Sequence, residues 1–183
     1  MISRKALLAG LPRTGMSTTP GDAAMLRILI EATGAKRGVE IGVFSGFGAI
    51  NMGMGFERTG GRLLSIEADP ERAAEASRNI RKARLSKTVS VIEGDALTVL
   101  PALKGRFDFV FIDAVKRDYL KYLKAIEPKL KPRAMVVADN VIVYADQMQD
   151  FLKYIQTCPK YDTVLIRASM EKNDGMTVSC KVG

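Results

Sequence analysis

Charged side chains follow a short apolar run near the middle of the chain. The run Phe107–Ile112 is rich in aromatic and β-branched residues, which is typical of a buried central strand. Asp113 follows it directly, and Lys116 comes shortly before a segment with helical spacing. Because α/β folds bind ligands at the carboxyl ends of their strands, Asp113 and Lys116 are candidates for the chemistry of a site.

A second polar strand end comes after the next predicted strand. Ala134–Ala138 is followed by Asp139 and Asn140. If the two strands are parallel neighbours, they lie about 4.8 Å apart, and their terminal side chains could meet around one cation. Two carboxylates and an amide oxygen suit a hard divalent ion such as Mg²⁺. The same residues would also serve as helix caps, loop acids and a turn former, and spacing alone does not separate these interpretations.

The chain has no histidine, which excludes His-based catalytic triads and histidine-bearing metal sites. A general base must then be Lys, Asp, Glu, Tyr or Cys, and a metal would have oxygen ligands. Cys158 and Cys180 lack metal-ligand spacing and are interpreted as reduced structural thiols.

Predicted strands alternate with predicted helices until residue 156, and two strands then end the chain. The order predicts an α/β fold with a Rossmann-like, doubly wound seven-stranded sheet, mostly parallel with an antiparallel C-terminal edge strand. Residues 1–183 are expected to form a single domain. The predicted strands are Gly38–Val43, Arg62–Glu67, Val89–Glu93, Phe107–Ile112, Ala134–Ala138, Thr163–Arg167 and Met176–Lys181. The predicted helices run from the Thr18–Asp22 start to Gly34, then over Gly46–Glu57, Pro70–Ala83, Ala96–Leu103, Asp118–Leu130 and Gln147–Gln156.

A glycine-rich turn, Glu40–Gly48, follows the first predicted strand. Its glycines let the backbone approach a ligand, and the next helix offers free N–H groups to an anion. The spacing G-x-x-x-G-x-G differs from the dinucleotide fingerprint, and such a turn also suits plain packing of a helix on a sheet. Acids end the next two strands: Glu67, placed to accept hydrogen bonds from ribose hydroxyls, and then Glu93 with Asp95. Each acid alone could be a cap, but together they favour a nucleoside-containing ligand.

In combination these segments resemble the class I S-adenosylmethionine-dependent methyltransferases. The resemblance narrows to the cation-dependent O-methyltransferases of the catechol and caffeoyl-coenzyme A type, and it runs from about Met16 to the C-terminus. The segments that carry it are Val39–Gly46, Glu67–Pro70, Gly94–Ala96, Phe107–Tyr119, Ala138–Asn140 and Asp174–Gly175.

The resemblance implies a site for S-adenosylmethionine (SAM). The glycine-rich turn is expected to contact its methionine part, Glu67 its ribose and the segment Asp95–Ala96 its adenine, with an entry segment at Met16–Asp22. The implied cofactor-binding residues are Met16, Glu40, Gly42, Ser45, Gly46, Glu67, Ala68, Asp95, Ala96 and Asp113.

The resemblance also implies a metal and a base. Asp113, Asp139 and Asn140 match the ligands of Mg²⁺, or of another divalent cation such as Mn²⁺ or Ca²⁺, and Lys116 matches the catalytic lysine. A small catechol-type acceptor would chelate the cation, which lowers the pKa of one hydroxyl. Lys116 could take that proton if its neutral form is favoured, the alternative being a solvated lysine at a helix start. The oxyanion would then attack the sulfonium methyl in line.

The sequence departs from the family pattern in several places. Val115 stands where relatives carry a bulkier aromatic residue or an acid, so a more open acceptor wall is expected. Arg133 and Ala134 replace a frequent glycine pair. The N-terminal helices that relatives use for substrate walls and dimer contacts are expected to be mostly absent. Glu171 has no secure match to the acid that orients the second hydroxyl in animal relatives.

Two other functions stay open at this point. The net charge of +8 motivates methylation of a hydroxylated uridine in tRNA, although the basic residues are spread over helix faces. A SAM-binding module without catalysis is the other alternative. No apolar run approaches the roughly 20 residues that span a bilayer, and the N-terminus is too short for a secretory signal, so a cytoplasmic protein without membrane contact is expected. A homodimer is the default form of self-association.

Overall fold

The computed structural model describes residues 3–11, 17–169 and 171–182. Seven helices and seven strands are found in this part of the chain. The helices are α1 (Arg4–Gly10), α2 (Pro20–Thr33), α3 (Phe47–Thr59), α4 (Pro70–Lys82), α5 (Ala96–Ala102), α6 (Tyr119–Ile126) and α7 (Gln149–Thr157). The strands are β1 (Arg37–Ile41), β2 (Arg62–Glu67), β3 (Val89–Glu93), β4 (Phe107–Ile112), β5 (Leu130–Ala138), β6 (Tyr161–Ser169) and β7 (Asp174–Lys181).

The strands form one sheet in the order β3-β2-β1-β4-β5-β7-β6. Strand β1 pairs in parallel with β2 and β4, β2 with β3, and β4 with β5, whereas β7 runs antiparallel to both β5 and β6. The predicted seven-stranded, mostly parallel sheet with antiparallel C-terminal strands is confirmed. Strand β7 lies between β5 and β6, so β6 forms the edge. The order reverses between β1 and β4, which is where such sheets bind ligands.

Helices cover both faces of the sheet, as the apolar run at β4 predicted. Phe109 and Phe111 point into a core shared with α2 and α3, whereas Val110 and Ile112 point into a second core shared with α6 and α7. These alternating side chains are fully buried, so β4 is the central strand. Its burial on both faces fixes the position of Asp113 at its carboxyl end.

The helix predicted over Asp118–Leu130 is shorter in the structure. Residues Lys116–Asp118 form a 3₁₀ turn, α6 ends at Ile126, and Glu127–Lys129 form a second 3₁₀ turn. Pro128 lacks a backbone N–H, so it cannot donate the hydrogen bond that would continue the α-helix past this point. Leu130 is therefore a strand residue, which starts β5 opposite Phe107. The pairing of β4 with β5 shifts its register after this point, and within the same stretch of β5 Arg133 has a φ of 64°.

The sequence predicted no helix before the Thr18–Asp22 start, yet α1 lies ahead of it. Helix α1 begins after Ser3, whose hydroxyl accepts a hydrogen bond from the N–H of Ala6 at 3.2 Å. Helix α2 begins after Thr19 and ends before Gly34, in agreement with the predicted start and stop. No helix of the described residues is long and apolar enough to cross a bilayer.

Gly42 joins the glycine-rich turn to the end of β4. Its φ is 88°, and a side-chain carbon at this position would collide with the carbonyl oxygen of Asp113. The turn can therefore lie against β4 only because residue 42 has no side chain.

We expect Gly42→Ala to destabilise the protein by more than the roughly 1–2 kcal/mol that a left-handed backbone costs a residue with a side chain, because the collision adds to that cost. Gly34→Ala is the matched control, since Gly34 has a φ of 63° but nothing within 4 Å of an added side-chain carbon. Urea unfolding measures both variants. Equal losses would show that the contact with Asp113 carries no penalty.

Candidate functional site

A cavity of about 430 Å³ opens at the carboxyl ends of β1, β2, β3 and β4. Most residues predicted to bind a cofactor, a metal or a proton line it: Glu40, Gly42, Ser45, Glu67, Ala68, Asp95, Ala96, Asp113, Lys116 and Asn140. Gly46 is not among its lining residues and instead lies against Ala76 of α4. Asp139 adjoins Asn140 behind the cavity wall, and Met16 lies outside the described residues. The structure thus brings nearly all predicted site residues to one place.

The ammonium group of Lys116 lies among oxygen atoms at one end of the cavity. Its Nζ is 2.9 Å from Asp113 Oδ1, 2.7 Å from Asn140 Oδ1 and 2.8 Å from the hydroxyl of Tyr119. The Tyr119 hydroxyl donates in turn to the carbonyl oxygen of Asp139 at 3.2 Å. Lys116 is therefore held at the ends of β4 and β5 rather than solvated at a helix start.

Asp139 is buried beside this cluster. One of its carboxylate oxygens accepts the backbone N–H of Asn140 at 2.7 Å. Burial, and then the charge of Asp113, raise the pKa of Asp139 to about 8. Burial, followed by the charges of Asp113 and Asp139, likewise raises the pKa of Tyr119. Negative charge is thus disfavoured at this point unless a cation is near.

The donor set fits a hard divalent cation. Asp113 and Asn140 already direct oxygen atoms at one positive charge, the Lys116 ammonium, and Asp139 follows β5 next to them. Among the described residues no three His, Cys, Asp or Glu side chains are arranged to hold a metal ion. A cation here would therefore need the amide of Asn140 and further oxygen atoms from water or a ligand, which is how Mg²⁺ is commonly bound.

Glu67 fixes the shape of the glycine-rich turn. Its Oε2 accepts the backbone N–H groups of Val43 and Phe44 at 3.0 and 2.9 Å, and its Oε1 accepts that of Asp69 at 3.1 Å. Phe44 has a φ of 52°, and the guanidinium of Arg72 lies 4.8 Å from its ring centre. The sequence predicted a ribose contact for Glu67 but gave no sign of these bonds, which join the ends of β1 and β2.

Glu40 is a buried carboxylate that faces the cavity. It is 1% exposed, and the hydroxyl of Ser65 donates to it at 2.6 Å. Burial raises the pKa of Glu40 to about 8, against the lowering effect of the Ser65 hydrogen bond. Its other oxygen lies 3.1 Å from the position of a side-chain carbon on Gly48, which explains the small residue there. A cationic group of a ligand would stabilise the charged form of this carboxyl group, so Glu40 is suited to bind such a group.

Asp95 serves as a helix cap as well as a wall of the cavity. It accepts hydrogen bonds from the N–H of Leu97 at 3.2 Å and from the hydroxyl of Thr98 at 3.3 Å, and so starts α5. Ala96 follows it at the wall. The capping interpretation of Asp95 is therefore compatible with a ligand contact.

The mouth of the cavity near Lys116 is apolar and open. Val115 is 50% exposed and Tyr144 is 40% exposed, and both line the cavity. Glu171 is not among the lining residues. Sequence reasoning singled out Val115 but missed Tyr144 and Tyr119. Tyr119 comes three residues after Lys116, a spacing that brings two side chains to the same side of a helical turn and could have indicated their contact.

Comparison with known proteins agrees with this geometry. Residues 4–178 match the family model described as O-methyltransferase. The chain belongs to this O-methyltransferase family. Within the family, the catechol O-methyltransferase of Niastella koreensis is 36% identical over 138 residues, covering 73% of this chain and 61% of that protein. The catechol O-methyltransferase of Mycobacterium tuberculosis is 37% identical over 135 residues, covering 73% and 60%. The chain thus spans about three fifths of the length of these relatives.

Solved structures of the O-methyltransferase family share the fold. The O-methyltransferase of Bacillus cereus in complex with SAH superposes with a TM-score of 0.86 at 26% identity, covering 97% of this chain and 90% of that one. The O-methyltransferase TomG of Streptomyces achromogenes in complex with SAM gives a TM-score of 0.83 at 25% identity, covering 92% and 82%. The family and fold expected from the sequence are thereby confirmed.

The raised pKa of Glu40 predicts a pH dependence of stability. Its ordinary pKa is 4.5, so the folded state keeps a proton that the unfolded chain releases as the pH rises to about 8. This contribution is fully present below the ordinary pKa and is lost as the pH passes the raised one. Glu40→Gln has no such proton and can still accept from Ser65. Its free energy of unfolding should therefore fall less than that of the wild type between about pH 5 and pH 8.

Urea unfolding at several pH values measures this difference. Asp139 also has a raised pKa, but its contribution to the pH dependence of stability cancels because both proteins retain it. The same substitution at the exposed Glu71 controls for the change in net charge. Parallel curves for the wild type and Glu40→Gln would contradict the prediction.

Proposed function

We propose that this chain transfers a methyl group from SAM to one hydroxyl of a small vicinal diphenol. A divalent cation held by Asp113, Asp139 and Asn140 would assist, with Lys116 as the base. The observation that carries the proposal is the convergence of Lys116 Nζ with Asp113 Oδ1 and Asn140 Oδ1 at one end of the cavity. Similarity to two catechol O-methyltransferases supports the diphenol acceptor.

SAM would occupy the other end of the cavity. The volume of about 430 Å³ lies within the range of small-molecule sites. Glu40 offers its carboxylate to the cationic methionine part, and Glu67 faces the ribose from the end of β2. Ala68, Asp95 and Ala96 line the side that would receive the adenine. Complexes of structural neighbours with SAM and SAH support this assignment.

When bound, a divalent cation supplies positive charge that lowers the pKa of a chelated hydroxyl. The residues of the chain do the rest. Lys116 Nζ is the group that would accept the hydroxyl proton. Tyr119 and Asp113 hold Nζ in place. As the acceptor oxygen bonds to the methyl carbon, the carbon–sulfur bond breaks and the sulfur becomes neutral.

The apolar mouth supports a flat aromatic acceptor. Val115 and Tyr144 flank the position where Lys116 meets Asp113 and Asn140. Because both side chains are exposed, positioning of the acceptor would depend mainly on the polar groups of Lys116, Asp113 and Asn140. The main contribution of the protein to the reaction rate would then be the orientation of the two reactants.

Removal of divalent cations should abolish methyl transfer. We expect loss of activity on a catechol panel after treatment with a chelator, and recovery on addition of Mg²⁺. Asp139→Asn keeps the shape of the side chain but removes a charged ligand, and it should show a loss of about 100-fold or more. Formation of the methylated product is measured by chromatography. Activity indifferent both to the chelator and to Asp139→Asn would refute the metal-assisted reaction.

Loss of the Lys116 amine should slow the chemical step. Lys116→Met is expected to lower kcat by about 10²–10⁴-fold, the usual contribution of a general base, with little change in the Kd for SAM. Lys121→Met is the matched control, because Lys121 is exposed and pairs with Asp118, away from the oxygen atoms that surround Lys116. Single-turnover kinetics and calorimetry separate the two effects. A kcat for Lys116→Met within a few-fold of the control would remove Lys116 as the base.

A further inference from the structure

We infer that Asp174 is a positioning residue that keeps the amide oxygen of Asn140 turned toward Asp113. The inference rests on the proposed function, because it concerns the orientation of one proposed metal ligand. Asp174 is the first residue of β7 and is 1% exposed. In the sequence it stood out only as part of a segment that resembles the family.

The two carboxylate oxygens of Asp174 have separate partners. Oδ1 accepts three backbone N–H groups, from Ile142 and Val143 at 3.1 Å each and from Gly175 at 2.8 Å. Oδ2 accepts the side-chain N–H of Asn140 at 2.9 Å. One oxygen therefore holds the loop after β5, and the other contacts the proposed ligand.

These contacts permit only one orientation of the Asn140 amide. Its Nδ2 faces a carboxylate, which can only accept hydrogen bonds, and its Oδ1 faces the Lys116 ammonium, which can only donate them. Turning the amide over would set its NH₂ group against an ammonium and its oxygen against a carboxylate. The correct ligand atom thus points at the site before any cation arrives.

The backbone supports the same arrangement. Asn140 has a φ of 60°, and the next residue, Val141, donates its N–H to the carbonyl oxygen of Gly175 at 3.0 Å. A side-chain carbon on Gly175 would lie 2.6 Å from the carbonyl oxygen of Ile166, so only glycine fits there. The loop that carries Asn140 is therefore fixed to the start of β7, and Asp174 completes that attachment.

Asp174→Asn tests the inference with almost no change of shape. The substituted side chain can keep its oxygen on the three backbone N–H groups, but it then presents an NH₂ group to Asn140. Two donors face each other, so Asn140 turns its amide over and offers nitrogen to the site. We expect the affinity for Mn²⁺ to fall about 10–100-fold, the usual effect of losing a partner of a metal ligand. Electron paramagnetic resonance of free Mn²⁺ measures binding without turnover, and thermal unfolding reports on the fold.

The double variant Asp174→Asn with Asn140→Asp exchanges the two groups and keeps the net charge. Its carboxylate at position 140 can accept from the new amide with one oxygen and face the cation with the other. Mn²⁺ affinity should return to within about threefold of the wild type. Because a carboxylate at position 140 attracts a divalent cation by itself, Asn140→Asp alone is measured as well, and only an affinity of the double variant above that of this single variant assigns the recovery to the restored hydrogen bond. Asp108→Asn is the matched control, because Asp108 likewise accepts backbone N–H groups, those of Lys36 and Arg37, at the opposite end of β4.

The outcomes separate the inference from the proposed function. Equal Mn²⁺ affinity of the wild type and Asp174→Asn would overturn the inference and leave the metal site intact. A wild-type protein that binds no Mn²⁺ would overturn the metal site and the inference with it. If Asp174→Asn alone does not fold, the double variant decides: wild-type affinity supports the inference, and a folded double variant with lost affinity overturns it.

Discussion

The structure depends on a concentration of negative charge at the ends of two buried strands. Asp113 and Asp139 follow neighbouring strands that are covered on both faces, and the raised pKa of Asp139, mainly from burial and then from Asp113, reflects this constraint. A nearby cation relieves it, and the Lys116 ammonium does so here through Asp113 and Asn140. A site of this kind favours a bound positive charge, as the proposed metal-assisted reaction would require.

The order of the sheet produces this concentration. Ile112 of β4 lies opposite Ala138 of β5, so the next residue on each strand is an aspartate at the same edge. Strand β7 enters antiparallel on the other side of β5 and begins with Asp174 at that edge. Three strand termini thus supply the proposed metal ligands and the group that orients one of them. The glycine-rich turn, held by Glu67, closes the site from the side of β1.

Much of this could be predicted from the sequence, because apolar runs bounded by turn residues mark strands well. The bounds of β2, β3 and β4 agree with prediction, and acids at strand ends indicated where the cavity lies. The predicted start of β5 at Ala134 was wrong, since the strand begins at Leu130. A proline and a register shift follow an apparently helical pattern there, which hid the beginning of the strand. The contacts of Glu67 with the turn and of Asp174 with Asn140 could not be predicted, since they join residues far apart in the chain and depend on strand order.

The contact between Gly42 and the carbonyl oxygen of Asp113 has a consequence for engineering. The turn that would receive the methyl donor and the strand end that would receive the acceptor lie so close here that a side-chain carbon on Gly42 would also come within 3.3 Å of the Ala114 side chain. A substitution that enlarges either half will displace the other. The two halves of the cavity therefore cannot be redesigned independently at this junction, whereas the side chains of Val115 and Tyr144 at the mouth are exposed.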